Sequence, residues 1–207
     1  MKKFYAACLA VSAMGSGAAL AGSPYIGLHA GVASLSSDWT EFFATPSSGD
    51  SEDSDFIGGI HGGFMHSFDQ IMLGVEGDLS FTDVSEGFDG FEGIGVEADF
   101  LGSLRARAGW KMDNIMPYLT AGVAVGDLEY TFFFGGPVDS ENDTRVGFVG
   151  GGGFEVMFAE GWSGRAEVLY YDFGEASGSF PTFGIGYDVD TSFVVARVGL
   201  TYDLMMW

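Results

Sequence analysis

The chain has 207 residues, enough for one domain, and its 29 acidic residues against eight basic ones give a formal net charge of −21. Such an acidic charge excludes binding to nucleic acid, and it excludes binding to an anionic lipid surface through basic patches of the protein. Disorder is excluded as well, because 47% of the residues are hydrophobic and twenty are phenylalanine.

The first 21 residues have the pattern of a cleaved export signal. Two lysines precede an apolar run that ends at Ala19-Leu20-Ala21, the small-x-small pattern at which signal peptidase cuts. The run is shorter than the roughly 20 apolar residues of a membrane-spanning helix. We therefore predict a signal peptide at 1–21 and a mature domain at 22–207. Cys8 leaves with the signal, so the mature domain has no cysteine, and its six basic against 29 acidic residues give −23.

Eight segments of the mature chain alternate apolar and polar residues with a period of two, which predicts half-buried strands. In chain order they are YIGLHAGVA, FIGGIHGGF, IMLGVEGDLSF, SLRARAGW, YLTAGVAVG, GFVGGGGFEVMF, WSGRAEVLYY and VVARVGLTYDL. The fourth segment places leucine, alanine and tryptophan on one face and Arg105 and Arg107 on the other. The apolar faces of all eight segments are free of charged residues.

The connections between these segments alternate in length. Three are tight turns, at residues 67–70, 111–114 and 159–161. The other four are long and acidic, and they lie near residues 36–55, 82–98, 127–143 and 172–192. Eight antiparallel strands with both termini on one side have this division of turns and loops. Together with the export signal, it predicts an all-β fold: an eight-stranded antiparallel up-and-down transmembrane β-barrel with its acidic connections outside the cell.

The polar faces carry charges that balance. In a lipid-embedded barrel the uncharged face meets hydrocarbon and the polar face lines the interior. Four arginines and four carboxylates lie on the polar faces, all roughly four to eight residues from the turn end of their strands. Arginine suits such a place because its planar fork binds carboxylates at two points and stays charged when desolvated. The predicted lumen charge network consists of Glu76, Asp78, Arg105, Arg107, Glu155, Arg165, Glu167 and Arg197.

A soluble sandwich or barrel is the structural alternative, with alternating arginine and glutamate on a solvated face. Aromatic residues at both ends of the apolar faces favour the membrane, because such girdles mark membrane interfaces. The predicted girdle near the turns comprises Phe64, Trp110, Phe158, Trp162 and Tyr202, and the girdle near the long connections comprises Phe56, Phe81, Phe100 and Tyr170.

The chain lacks a pattern typical of a catalytic or metal site. His66 has no carboxylate in an orienting position, and we expect His29 and His61 to be hydrogen-bonded packing residues in the lumen. The run DSEDSD at 50–55 matches no calcium loop, and GIGVEA at 93–98 lacks the helix of a dinucleotide site. We therefore expect no enzyme activity, no cofactor and no resident metal.

Three stretches resemble a known family: FIGGIHGGFMHSFDQIMLGVEGDLSF, SLRARAGWKMDNIMPYLTAGVAVG and TRVGFVGGGGFEVMFAEGWSGRAEVLYYDFG. They are similar to the small outer-membrane β-barrel proteins of Gram-negative bacteria, the porin-like or opacity-protein-like group related in architecture to the OmpA transmembrane domain. The resemblance implies insertion by the barrel-assembly machinery. It also implies a C-terminal sorting signal on Gly199, Tyr202 and Leu204, from which this chain departs by three added residues that end at Trp207.

We therefore expect a monomeric protein of the cell outer membrane with a structural role, or one that acts through surface interactions of its long acidic connections. Its expected partners are outer-membrane lipid and lipopolysaccharide, with divalent cations at the acidic connections and no nucleic acid. The alternative function is a narrow porin-like channel for ions or small solutes.

Overall fold

The computed structural model describes residues 22–42, 47–85, 92–134, 137–180 and 185–205, with side chains described at 22–34, 54–82, 100–126, 144–174 and 191–205. Each strand pairs antiparallel with its neighbours in sequence, and the last strand pairs with the first, which closes the barrel. The predicted eight-stranded fold is confirmed. The strands are β1 (Ser23–Phe42), β2 (Ser47–Phe68), β3 (Ile71–Ser85), β4 (Glu92–Trp110), β5 (Ile115–Phe134), β6 (Pro137–Ala159), β7 (Trp162–Phe180) and β8 (Ile185–Asp203).

The three tight turns lie where the sequence predicts them, between β2 and β3, β4 and β5, and β6 and β7. Each turn contains a residue with a left-handed backbone: Asp69 at φ 61°, Asp113 at φ 47° and Gly161 at φ 73°. Aspartate and glycine are among the residues that tolerate this conformation best, so the turns follow from local sequence. Within the described ranges, no helix is long and apolar enough to cross a membrane.

The outer wall of the barrel is apolar. Leu119 is 72% exposed and Leu104 is 58% exposed, whereas Arg107 on the same strand as Leu104 is buried. The soluble alternative is therefore wrong, because it requires the opposite orientation of these faces. The predicted girdle residues point outward, and Trp162 and Tyr202 contact each other with ring centroids 4.8 Å apart. This wall matches the requirements of hydrocarbon.

Glycines on the inner face let neighbouring strands approach closely. A Cβ on Gly122 would overlap the carbonyl oxygen of Leu104 and would lie 2.6 Å from the Cα of Arg105. Because Gly122 has no side chain, the backbone of β4 can occupy this space. Curvature in so small a barrel therefore depends on glycine at such contacts.

The long connections contain far more strand than the sequence predicts. β1 and β2 stay paired out to Glu41 and Ser47, and β7 and β8 stay paired out to Phe180 and Ile185. The prediction of long loops was wrong in this respect, because serine, glycine and acidic residues do not stop an antiparallel ladder whose register is already fixed. We call these four segments the crown, defined as residues 36–55, 82–98, 127–143 and 172–192.

The crown divides into two sheets. Among the described residues, pairing of β2 with β3 ends at Ile57 and Thr82, and pairing of β6 with β7 ends at Phe148 and Asp172. Beyond these points β2, β1, β8 and β7 form one sheet, and β3, β4, β5 and β6 form the other. The closed barrel thus opens along two seams on its crown side.

Side chains cap both seams. The Phe56 N–H donates to Asp55 Oδ1 at 2.6 Å, and the Thr82 hydroxyl donates to the Phe56 carbonyl oxygen at 3.2 Å. At the other seam the Gly174 N–H donates to Asp172 Oδ1 at 2.9 Å, with Gly174 at φ 64° in a β-bulge. These side chains satisfy backbone groups close to the points where the pairing ends.

Candidate functional site

All eight residues of the predicted lumen charge network project into the barrel. The alternation of each strand directs them inward, and seven of them are buried, while the Glu155 side chain is 15% exposed. They come from five strands: Glu76 and Asp78 from β3, Arg105 and Arg107 from β4, Glu155 from β6, Arg165 and Glu167 from β7, and Arg197 from β8.

Glu76 is the centre of this network. One carboxylate oxygen lies 2.5 Å from Arg105 Nη2, and the other lies 2.5 Å from Arg165 Nη1 and 3.4 Å from Arg107 Nη1. The Tyr25 hydroxyl donates to the same carboxylate at 2.7 Å. Three guanidinium groups from two strands thus converge on one buried anion, and these cations offset the cost of removing the carboxylate from water.

Asp78 and Glu167 connect the remaining arginines. Arg197 Nη1 lies 2.9 Å from Asp78 Oδ1 and its Nε lies 2.6 Å from Glu167 Oε1. Arg105 reaches Asp78 at 3.1 Å, and Arg165 reaches Glu167 at 3.3 Å. Nine ion pairs join these side chains among the described residues, and each arginine contacts at least two carboxylates.

Hydroxyl groups that the sequence analysis left out complete the site. Arg107 Nη2 lies 2.5 Å from Glu155, which also accepts a hydrogen bond from the Ser163 hydroxyl at 2.5 Å. The guanidinium of Arg107 stacks over the Tyr118 ring at 3.6 Å, and the Tyr118 hydroxyl donates to Glu167 at 3.0 Å. Tyr118 and Ser163 lie on the same face of the strands as the charged network residues. This shared parity was the signal in the sequence from which their inward orientation could have been predicted.

The two lumen histidines are hydrogen-bonded packing residues, as expected. His29 Nε2 lies 3.2 Å from Arg197 Nη1 and 2.8 Å from the Ser80 hydroxyl. Its Nδ1 lies 3.4 Å from His61 Nδ1, and His61 Nε2 lies 3.0 Å from the Thr201 hydroxyl. Each ring nitrogen of the two histidines thus has a polar neighbour in the lumen. His66 lies at the turn end, with its ring 4.5 Å from that of Phe68.

An apolar layer fills the lumen on the crown side of the network, and the sequence analysis missed it. The prediction of a polar inner face is wrong at this depth. The signal was present, because the run Phe193–Ala196 is apolar at both parities. Such side chains fill an eight-stranded interior without needing polar partners. The layer consists of Ala33, Ile57, Leu101, Ala124, Val149, Leu169, Tyr171, Phe173, Phe193 and Val195, all of them buried.

Two other expectations concern sites outside the network. Across the described side chains, no three histidine, cysteine, aspartate or glutamate residues are grouped so that they can hold a metal ion. Gly199 and Tyr202 lie on β8 and Leu204 directly follows it, while Trp207 lies outside the described residues. The sorting role of these residues stays a prediction.

Comparisons with known proteins agree with this geometry. Residues 4–201 match the family model described as outer membrane protein beta-barrel domain. The chain is 32% identical over 178 residues to the 25 kDa outer-membrane immunogenic protein of Brucella abortus, a match that covers 86% of this chain and 76% of that protein.

Two solved structures have a similar fold. The outer membrane protein OprG from Pseudomonas aeruginosa superimposes with a TM-score of 0.55 at 20% identity, covering 88% of this chain and 97% of that one. The outer membrane protease OmpT from Escherichia coli gives a TM-score of 0.53 at 8% identity, with 88% and 97% coverage. At these identities both likenesses concern the fold alone.

Replacing Arg105 by alanine tests whether the network stabilises the barrel. The change leaves Glu76 and Asp78 buried with one cation fewer, so we expect the free energy of unfolding to fall by about 3 to 5 kcal/mol. Lys111→Ala removes the same charge from an exposed turn position and serves as the control. Urea titration of the refolded protein in lipid vesicles measures both variants. Equal stability of the two variants would contradict a stabilising network.

Proposed function

Because the chain belongs to the outer membrane protein β-barrel domain family, and is thus an outer-membrane β-barrel protein, we propose a function that fits this location. In this proposal the protein is a closed, non-conducting barrel that presents an acidic crown at the cell surface. Its relatives in Brucella are named as outer-membrane immunogenic proteins, which is consistent with exposure at the surface and with a role other than catalysis. The observation that supports the proposal most strongly is the filled lumen.

Two successive barriers close the lumen. The first is the charge network, in which Arg105 is 1% exposed and each arginine is held between carboxylates. The second is the apolar layer, in which Tyr171 and Phe193 are fully buried. An ion that crossed the barrel would have to separate desolvated ion pairs and then pass a largely apolar layer that cannot replace its hydration shell. The filled lumen therefore favours a plug over the narrow channel that was the alternative function.

The crown is the opposite of the lumen in its charge balance. It contains 20 of the 29 acidic residues and neither lysine nor arginine. Its strand register places acidic residues directly opposite one another across four neighbouring strands: Asp50, Asp38, Asp190 and Glu175 occupy one row. Like charges at opposed positions destabilise a sheet, so this row requires counter-ions.

Divalent cations are the counter-ions that we propose for the crown. Carboxylate oxygens are the ligands that calcium and magnesium prefer. The phosphates of lipopolysaccharide are anionic as well, so a cation shared between a phosphate and the crown would neutralise both. In this proposal the crown binds cations at the level of the lipopolysaccharide headgroups, and the barrel supplies the rigid support from which it projects.

Recording conductance in a planar lipid bilayer tests the closed lumen. Because both barriers span the interior, we expect no stable channel openings above those of protein-free bilayers that received the same detergent. Heat-modifiability of the same protein preparation verifies that the barrel is folded. Stable openings whose size changes in the Arg105→Ala variant would identify a charge-gated pore and overturn the proposal.

Adding calcium tests the crown. We expect millimolar calcium to raise the melting temperature of the refolded protein by several degrees more than sodium chloride of equal ionic strength. The reason is that a calcium ion bound directly by carboxylates stabilises the folded protein, whereas sodium ions only screen the carboxylate charges. Asp38→Asn, at the centre of the acidic row, should reduce this gain. Asp69→Asn in the turn between β2 and β3 is the matched control and should leave it unchanged. An equal response to both salts would exclude cation sites in the crown.

A further inference from the structure

We propose that the open edge of β2 in the crown binds a cationic, extended polypeptide segment by adding it as a further strand. This inference rests on the proposed function and deepens it, because it assigns the acidic crown a class of partner. Three observations carry it: the unpaired side of β2, the direction of its backbone groups, and the charge of its sequence.

The edge is a regular strand with one neighbour. From residue 47 to residue 53, β2 pairs with β1 without a register shift, out to Ser47 opposite Glu41. On its other side, pairing with β3 ends at Ile57 and Thr82 within the part of the chain that the structure describes. An unpaired strand side of this kind is the surface to which extended peptides add in β-augmentation.

The cap at the seam shows which backbone groups face this edge. The Thr82 hydroxyl on β3 donates to the Phe56 carbonyl, so the backbone groups of Phe56 point toward the β3 side. Alternate residues of a strand share this direction, and the unbroken register with β1 carries the alternation outward. The backbone groups of Glu52, Asp50 and Ser48 therefore point to the open side, whereas those of Asp53 pair with β1.

The charge of the edge selects the occupant. Residues 47–53 contain Asp50, Glu52 and Asp53 and no basic residue. Two copies of this chain would repel each other edge to edge, since acidic edge strands oppose self-pairing. A strand with lysine or arginine at alternate positions instead meets complementary charge while its amides complete the ladder.

The other open edges of the crown are less suited to this partner. The edge of β3 spans only residues 83–85 of the described chain and has a register shift against β4. The edge of β6 begins with Pro137, and its stretch beyond Phe148 includes the basic residue Arg145. The edge of β7 has a single acidic residue, Glu175, from residue 175 to residue 180. β2 is therefore the edge that combines an uninterrupted backbone with the highest acidic charge.

Two peptides of equal charge distinguish strand addition from simple attraction. The first is a seven-residue peptide of alternating lysine and threonine, which matches the length of the edge at residues 47–53. The second has the same sequence but carries N-methyl groups on two adjacent central residues, which block both of its edges. We expect the methylated peptide to bind the refolded full chain at least about tenfold more weakly, as measured by fluorescence anisotropy in nanodiscs. A peptide of alternating glutamate and threonine should not bind.

Two variants of one residue make the same distinction on the protein. Glu52→Gln and Glu52→Pro remove the same charge, but proline also removes the amide N–H that faces the open edge. Proline is tolerated at such edge positions, and heat-modifiability verifies that the variant barrel is folded. We expect Glu52→Gln to bind the unmethylated peptide within about threefold of the native chain and Glu52→Pro to lose about tenfold or more.

The outcomes separate this inference from the proposed function. Equal binding of the two lysine peptides, or equal binding by the two Glu52 variants, would overturn strand addition and leave an acidic crown that attracts cations by charge alone. Absence of peptide binding together with a retained calcium response would also overturn the inference and leave the proposed function in place. Loss of the calcium response itself would count against the proposed function.

Discussion

Mutual neutralisation of buried charges is the interaction on which this structure depends. Four arginines and four carboxylates lie in an interior that is sealed by lipid on its outside and by an apolar layer on its crown side. Each group is tolerable there only because its partners are present, so the network acts as a unit. Glu76 shows this most clearly, since three guanidinium groups and the Tyr25 hydroxyl share one carboxylate. The same contacts fix the relative positions of strands that are not neighbours.

Much of this arrangement could be predicted because a strand's side chains alternate strictly. Because Arg105 and Arg107 share a parity opposite to Leu104, they must lie on the opposite face of the strand. The predicted export signal favours a membrane barrel, in which that face lines the lumen. The exact partners could not be predicted, because Arg165 lies opposite Glu155 in register yet reaches across the barrel to Glu76. Such a choice depends on the closed geometry and on neighbours such as Tyr118. The apolar layer was not predicted because its residues lie in stretches that are apolar at both parities. In such stretches the alternation of apolar and polar residues cannot distinguish the inner face from the outer face.

The crown was the larger difference between sequence and structure. Composition rich in glycine, serine and acid suggests loops, but long-range register determines whether such segments pair. Side-chain caps at Phe56 and Gly174 lie where the pairing ends along two seams. The protein therefore combines a lumen whose charges cancel with a crown whose charges do not. We infer that the two regions have different roles. The lumen network stabilises and closes the barrel, and the crown attracts cationic partners.

A double-mutant cycle on Arg197 and Glu167 tests the central claim most directly, since these residues are opposed on β8 and β7 and form an ion pair at 2.6 Å. Arg197→Met, Glu167→Gln and the double variant are compared by their free energies of unfolding in lipid vesicles. A buried network of this kind predicts a coupling free energy above about 1.5 kcal/mol, with the double variant more stable than the sum of the single losses implies. Strictly additive losses would show that the two groups are independent and would contradict the account.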